Sequence, residues 1–170
     1  MTVPRRTGFA PVVDGRTRVL ILGSLPGDAS LSAGQYYAHP RNAFWRLMEA
    51  LLGVPLEDLP YAARLEALLA QGVGLWDVIA SAERRGSLDA AIRNPEAADL
   101  IALTTPLPAL QAVAFNGGTA ARAGRRILEG ATTAALLDLP SSSPAHARPF
   151  EEKRARWSIL KPYLTPADGR

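Results

Sequence analysis

The longest stretch of chemistry-bearing residues lies near the N-terminal end of the 170-residue chain. It reads Gly23-Ser24-Leu25-Pro26-Gly27, then Ser30-Leu31, then Gln35-Tyr36-Tyr37-Ala38-His39-Pro40-Arg41-Asn42-Ala43-Phe44-Trp45. Gly23 and Gly27 let backbone approach a ligand closely. Tyr36, Tyr37 and His39 offer flat faces on which a base could stack, and Arg41 offers a phosphate contact. Asn42 has an amide with one accepting and one donating end. It could also be simply the N-cap of the next helix, and one amide oxygen turned to that helix could not easily do both jobs. Other chemistries lack their signatures. No G-x-x-x-x-G-K-[ST] phosphate loop is present, and Gly23 to Gly27 has neither its spacing nor its lysine. Ser24 directly follows its glycine, so no G-x-S-x-G elbow exists. The two histidines, His39 and His146, stand 107 positions apart with no second ligand nearby, which argues against a metal site. A Ser-His-Asp triad has no local signature, though nothing excludes one.

The elements that must position these residues alternate between strand and helix. Arg18 to Leu22 (RVLIL) reads as a buried strand stopped by Gly23, followed by a long loop from Gly23 to Arg41. Ala43 to Leu52 reads as a helix with Phe44, Leu47, Met48 and Leu51 on one face and Gly53 as its stop. Asp58 could cap a second helix, Leu59 to Gln71; Val73 to Ile79 reads as a second strand. Ser87 could cap a short helix through Arg93, and Asn94-Pro95 then opens another, with Leu100, Ile101 and Leu103 facing inward. Leu110 to Phe115 and Ala134 to Leu139 read as strands three and four, with a helix from Thr119 to Glu129 between them. Phe150 to Leu164 reads as a terminal amphipathic helix with Trp157, Leu160 and Leu164 on its apolar side. Such alternation predicts an α/β fold: three layers, α/β/α, around a central, mainly parallel four-stranded sheet. Ligands on such sheets sit beyond the carboxyl ends of the strands. The exit loops begin at Gly23, near Asp77, at Asn116 and at Pro140, and should converge on one edge.

Composition bounds the rest. A chain of this length suits one domain, residues 1–170, since domains commonly run about 100–200 residues. Residues 1–13 read as a loosely attached lead-in. Hydrophobic residues make up 48%, too many for a disordered chain, and no apolar run approaches the ~20 residues that span a bilayer. The arginine-bearing N-terminus has no apolar core of a signal peptide, and the absence of cysteine excludes disulfides, a thiol nucleophile and an iron–sulfur cluster. A cytoplasmic setting is the expectation. The net charge of +3 is modest. Seventeen of the 19 basic residues are arginine, which suits phosphate, but abundant Ala, Arg, Gly and Pro also fit a GC-rich genome.

The block from Gly23 to Trp45 resembles the first motif of the uracil-DNA glycosylase superfamily, in particular its hypoxanthine-DNA (deoxyinosine) glycosylase branch, which reads G-S-x-P-G and then Q-Y-Y-x-H-P-x-N-x-F-W. Three further blocks are similar in order and spacing. They are Gly74-Leu75-Trp76-Asp77-Val78 with Arg85 to Asp89 after it, Ala114-Phe115-Asn116-Gly117, and Leu139-Pro140-Ser141-Ser142-Ser143-Pro144-Ala145. The last resembles the superfamily's DNA-intercalating loop. Together the blocks cover Pro11 to about Leu164.

The resemblance implies a monomeric, cofactor-free and metal-free glycosylase acting on a deaminated base flipped out of double-stranded DNA. Hypoxanthine comes first, with uracil or xanthine as further substrates. Its catalytic candidates are Asn42, Asp77 and Asn116. Asn42 would place water or donate to the base. Asp77 stands where many relatives carry a base-reading Asn, and could accept from a ring N–H such as N1–H of hypoxanthine, activate water, or merely cap a helix or form an ion pair. Asn116 would meet a base edge, or serve only as a turn residue. Gly23, Ser24, Leu25, Pro26, Gly27, Tyr37, His39, Arg41, Ser141, Ser142, Ser143, Pro144 and His146 would contact base or DNA. Two positions depart from the pattern. Leu139 stands where relatives carry His or Asn, and Ser24 where they carry an acidic residue or Asn, and both losses argue against strong uracil activity. A binding domain that has lost its chemistry, or a hydrolase of free nucleosides or nucleotides, are the alternatives; the wedge loop from Ser141 to Ala147 argues against the latter.

Overall fold

The computed structural model describes residues 3–164. In chain order the strands are Arg5–Thr7 (β1), Val19–Gly23 (β2), Val73–Asp77 (β3), Ile79–Glu83 (β4), Arg93–Ala97 (β5), Ala112–Asn116 (β6) and Ala135–Leu139 (β7). The helices are Asp28–Ala33 (α1), Phe44–Leu52 (α2), Tyr61–Ala70 (α3), Leu100–Thr104 (α4), Gly118–Leu128 (α5), Phe150–Trp157 (α6) and Lys161–Leu164 (α7).

The central sheet has the order β3-β2-β6-β7, and all its pairings are parallel. β2 is buried along its whole length, and its side chains alternate between two cores. Val19 and Ile21 join Phe44, Leu47, Met48, Leu68 and Trp157 from α2, α3 and α6. Leu20 and Leu22 join Leu100, Ala120 and Leu128 from α4 and α5. This two-sided cover makes the strand read as a continuous apolar run. The expected three-layer architecture with a four-stranded parallel sheet is therefore present. The register pairs Gly23 with Asp77 and Asn116 with Leu139, so these strand ends lie level at one sheet edge.

The sequence reading needs correction elsewhere. The lead-in is not loose: β1 pairs antiparallel with β4, Val12 bridges Leu75, and the Trp76 indole donates to the Phe9 carbonyl at 3.0 Å. The strand expected over Val73 to Ile79 breaks at Val78, and β4 leaves to join a second, antiparallel sheet, β1-β4-β5. Ser87 caps no α-helix; only a 3₁₀ turn, Asp89–Ala91, forms there, and Asn94-Pro95 lies within β5 rather than opening a helix. Ile101 faces solvent, while Leu100 faces inward. Asp58 ends a 3₁₀ turn, and Pro60 takes the N-cap of α3. The long first loop contains α1. The terminal helix is α6, a 3₁₀ turn and α7 in succession, with Trp157, Leu160 and Leu164 buried as expected.

Candidate active site

A cavity of about 610 Å³ opens beyond the carboxyl ends of β2, β3, β6 and β7. Its floor is set where β2 meets β3. Asp77 ends β3, is 5% exposed, and its Oδ2 makes no hydrogen bond among the described residues. A Cβ on Gly23 would stand 2.6 Å from Asp77 Oδ1 and 3.2 Å from the Tyr37 hydroxyl. Glycine at that position is what lets both side chains close on the β2 terminus. Burial pushes the Asp77 carboxyl up to about 7; the Asp89 charge adds to this, and Arg84 opposes it.

Tyr37 arrives through a strained turn. Its φ of 56° is left-handed, which costs a non-glycine residue about 1–2 kcal/mol. The flanking backbone holds it there. Tyr36 N–H donates to the Tyr61 hydroxyl, the Trp45 indole donates to Tyr36 O, and Ala38 N–H donates to Ser30 Oγ. The Tyr37 ring stacks on Phe44 at 4.0 Å between centroids, and its buried hydroxyl has no hydrogen-bond partner of good geometry among the described residues. Burial keeps that hydroxyl protonated; the Asp77 charge reinforces this, while the Asn116 amide beside it acts the other way.

Asn42 precedes α2 and accepts from Phe44 N–H through Oδ1 at 2.9 Å. The cap-like bond expected of it is therefore made, in part. Its amide nitrogen has no partner among the described residues, so the donating end remains available. Asn116, at the end of β6, is more committed. Nδ2 donates to Ser142 Oγ at 2.9 Å, and Oδ1 accepts from Ser142 N–H at 2.8 Å. One donor and one lone pair of that amide are still unspent.

The loop after β7 is fastened from several sides. Ser142 O accepts from Ala43 N–H, Ser143 O from Lys153 Nζ, and Pro140 O from the Trp157 indole. Gly117, with φ of 100°, brings the start of α5 against Ser141. Leu139 packs in the core at 4% exposure and offers no polar group. The loop after β2 is fastened as firmly. Arg84 is fully buried, and its guanidinium donates to Pro26 O, to Leu25 O at 3.4 Å and to Gly86 O at 2.9 Å. Ser24 Oγ donates to Asp89 Oδ1 at 2.7 Å, and Asp28 N–H donates to Ser87 Oγ at 2.8 Å.

Every residue expected at the site lines this one cavity: Gly23 to Gly27, Tyr37, His39, Arg41, Asn42, Asp77, Asn116, Ser141 to Pro144 and His146. The histidines, distant in sequence, thus face a common space, and no group of three or more metal-ligating residues occurs among the described residues. The opposite wall, Ser87, Leu88 and Asp89, lies in a block that carried the resemblance but was given no site role, and sequence reasoning missed Arg84 and Lys153, which hold the walls in place. Arg84 stands beside Arg85 in a charged run, and no periodicity marks which of the two turns inward. Chemically, the site joins an amide donor, a buried carboxyl of raised pKa and a phenol around one cavity of about 610 Å³.

The chain matches the family described as Uracil DNA glycosylase superfamily over residues 10–162. A Hypoxanthine DNA glycosylase from Methanosarcina barkeri is 40% identical over 156 residues, 91% of this chain and 96% of the relative. A protein of the same description from Methanosarcina acetivorans is 38% identical over 155 residues, 91% of this chain and 97% of the relative. A solution NMR structure of a candidate uracil DNA glycosylase from Methanosarcina acetivorans superposes with a TM-score of 0.85 at 37% identity, over 95% of this chain and 99% of that one.

Proposed function

The chain belongs to the uracil DNA glycosylase superfamily and is a DNA glycosylase, and we propose that the base it releases is hypoxanthine, flipped from the duplex into the cavity below Gly23. The observation that carries the choice of base is the Asp77 carboxyl, buried at the cavity floor with Oδ2 unpartnered. Hypoxanthine presents N1–H, a donor, where adenine presents a bare N1. A carboxylate rewards the first and repels the second, which separates the deaminated purine from its parent. The name shared by the two archaeal relatives supports the same reading. Uracil also carries a ring N–H, so xanthine and uracil enter as weaker substrates; Ser24 and Leu139 supply less to a pyrimidine than the groups they replace.

In this reading the N-glycosidic bond breaks through an oxocarbenium-like sugar, and negative charge collects on the departing base. Fixed donors stabilise that charge. The Asn42 amide nitrogen and the Tyr37 hydroxyl are the donors at hand, and the second lone pair of Asn42 Oδ1 can steady the attacking water. Asn116 acts at one remove, locking the wall at Ser142 to the end of β6.

The test is excision from a duplex carrying one hypoxanthine, followed by alkali, beside matched duplexes with uracil, xanthine and adenine. Strand breaks at hypoxanthine, with none at adenine, are expected. No break at hypoxanthine rejects the substrate. In the same assay Asn42→Ala should lose on the order of 10²-fold in single-turnover rate. Its loss of the bond to Phe44 N–H should cost only about 1 kcal/mol of stability. A lowered melting point with an intact rate would leave Asn42 as a helix-start residue alone.

A further inference from the structure

Three large hydrophobic side chains stand exposed among the described residues: Leu88 at 59%, Ile101 at 44% and Ile159 at 43%. Only Leu88 lines the cavity. We infer that Leu88 is the apolar side chain that enters the base stack when a nucleotide leaves it, acting from the wall opposite the Ser141–His146 loop. The inference rests on the proposed extrusion of a base from duplex DNA.

Extrusion leaves a gap in the stack, and proteins that open base steps fill such gaps with Leu, Ile, Phe, Met or Pro. The loop from Ser141 to Ala147, on the other wall, carries only Ser, Pro, Ala and His. Pro144 is its largest saturated side chain, and no long aliphatic residue rises from it. Leu88 has the size that loop lacks.

Its backbone is held as such a role requires. The residue before it, Ser87, accepts from Asp28 N–H, and the residue after it, Asp89, accepts from Ser24 Oγ. Leu88 O accepts from Ala91 N–H at 3.1 Å and starts the 3₁₀ turn. Two residues upstream, Gly86 O is taken by the buried Arg84 guanidinium, which also grips the Leu25 and Pro26 carbonyls. The Leu88 side chain is therefore a free apolar group on a pinned loop. The same clamp fixes its distance from the loop that carries Gly23. Single exposed aliphatic residues are ordinary on a protein surface, so what marks Leu88 is its place on a pinned loop that lines the cavity. At the mouth of a nucleic-acid site, the flat faces of the bases are the apolar surface that covers it.

The experiment compares Leu88→Ala with the wild type on two substrates, hypoxanthine in a duplex and hypoxanthine in the matching single strand. Ile101→Ala and Ile159→Ala serve as controls for removal of an exposed aliphatic group. A stack-filling residue matters only when there is a duplex stack to enter. Leu88→Ala should lose about tenfold or more in single-turnover rate on the duplex, and less than about twofold on the single strand. Leu88→Met should recover most of the duplex rate, and the two controls should match wild type. An unchanged duplex rate overturns the inference. An equal loss on both substrates also overturns it, because Leu88 would then shape the pocket rather than the stack. A wild-type protein silent on both substrates defeats the proposed activity itself, and the role of Leu88 falls with it.

Discussion

Asp77 is a carboxyl that folding has made costly to ionise. It lies at a strand end, 5% exposed, with one oxygen against Gly23 and the other without a hydrogen bond among the described residues. Its pKa rises from an ordinary 3.8 to about 7, first through burial and then through the charge of Asp89. The folded state therefore holds a proton that the unfolded chain gives up earlier. That contribution to stability is complete below the unfolded value and disappears as pH climbs through about 7. The gap corresponds to about 4 kcal/mol. Asp77→Asn removes the ionisation and should flatten this dependence. Urea unfolding of both proteins at about pH 5 and about pH 9 measures it. The wild type should lose about 3 kcal/mol relative to Asp77→Asn across that range, the rest of the gap lying below about pH 5; parallel curves would mean that the carboxyl is solvated. The same titration bears on selectivity. The carboxylate accepts from N1–H of hypoxanthine, whereas a protonated Asp77 can donate to the bare N1 of adenine, so rejection of adenine should weaken on acidification.

Helix α5 shows how closely an element must approach the sheet to set the site. It starts immediately after β6, with Gly117 against Ser141, and lies over the β6 strand. A Cβ on Gly124 would fall 2.2 Å from Cε1 of Phe115, a fully buried ring. Helix propensity alone favours Gly124→Ala by up to about 1 kcal/mol. Overpacking opposes it, typically by about 1–3 kcal/mol. The clash is with a confined ring rather than a flexible chain end, so overpacking should win. Thermal unfolding of Gly124→Ala should show a lower melting point despite the better helix former, and a raised one would mean that α5 can lift from the sheet. The elements that proved legible in the sequence are those whose residues face a core. RVLIL, the Phe44-Leu47-Met48 face and the Trp157-Leu160-Leu164 face carry their period in their apolar residues. The exit loops were legible for the same reason, since each begins where such a run stops. The antiparallel sheet was not. β5 reads RNPEA with every residue exposed, and β1 reads RRT, so both are specified by pairing and not by pattern. Asn94-Pro95 signalled a helix start, yet the hairpin takes both into β5, with Asn94 left-handed at φ of 49° where the pairing register shifts. The wall at Ser87 to Asp89 belongs to this hairpin, which is why its place in the site was not legible although Ser24 and Gly27, which touch it, were.

Across the whole molecule, charge is spread rather than massed. Sixteen acidic residues offset 19 basic ones, and many arginines are spent within the fold. Arg84 holds loop carbonyls, Arg18 donates to Tyr163 O and Leu164 O, Arg5 pairs with Glu83 and Glu96, and Arg125 pairs with Asp138. A strongly basic isoelectric point near 9.7 therefore overstates the charge free to meet a polyanion. Arg41 is different. It is exposed at the cavity, and its side chain makes no hydrogen bond or ion pair with the described residues. Its backbone N–H is held by His39 Nδ1 at 3.1 Å, so the guanidinium projects from a fixed point. A free arginine at a cavity that takes a base from DNA is placed to displace a counterion from a phosphate. Each phosphate neutralised contributes about 0.9 to the slope of log affinity against log salt. Arg41→Ala should therefore lower that slope by about one. It should weaken hypoxanthine-bearing and undamaged duplexes to the same degree, because a phosphate contact carries no base information. Binding isotherms at several salt concentrations, on both duplexes, measure the two quantities together. An unchanged slope would take Arg41 off the backbone. A loss confined to the hypoxanthine duplex would move it into the base pocket beside Asn42.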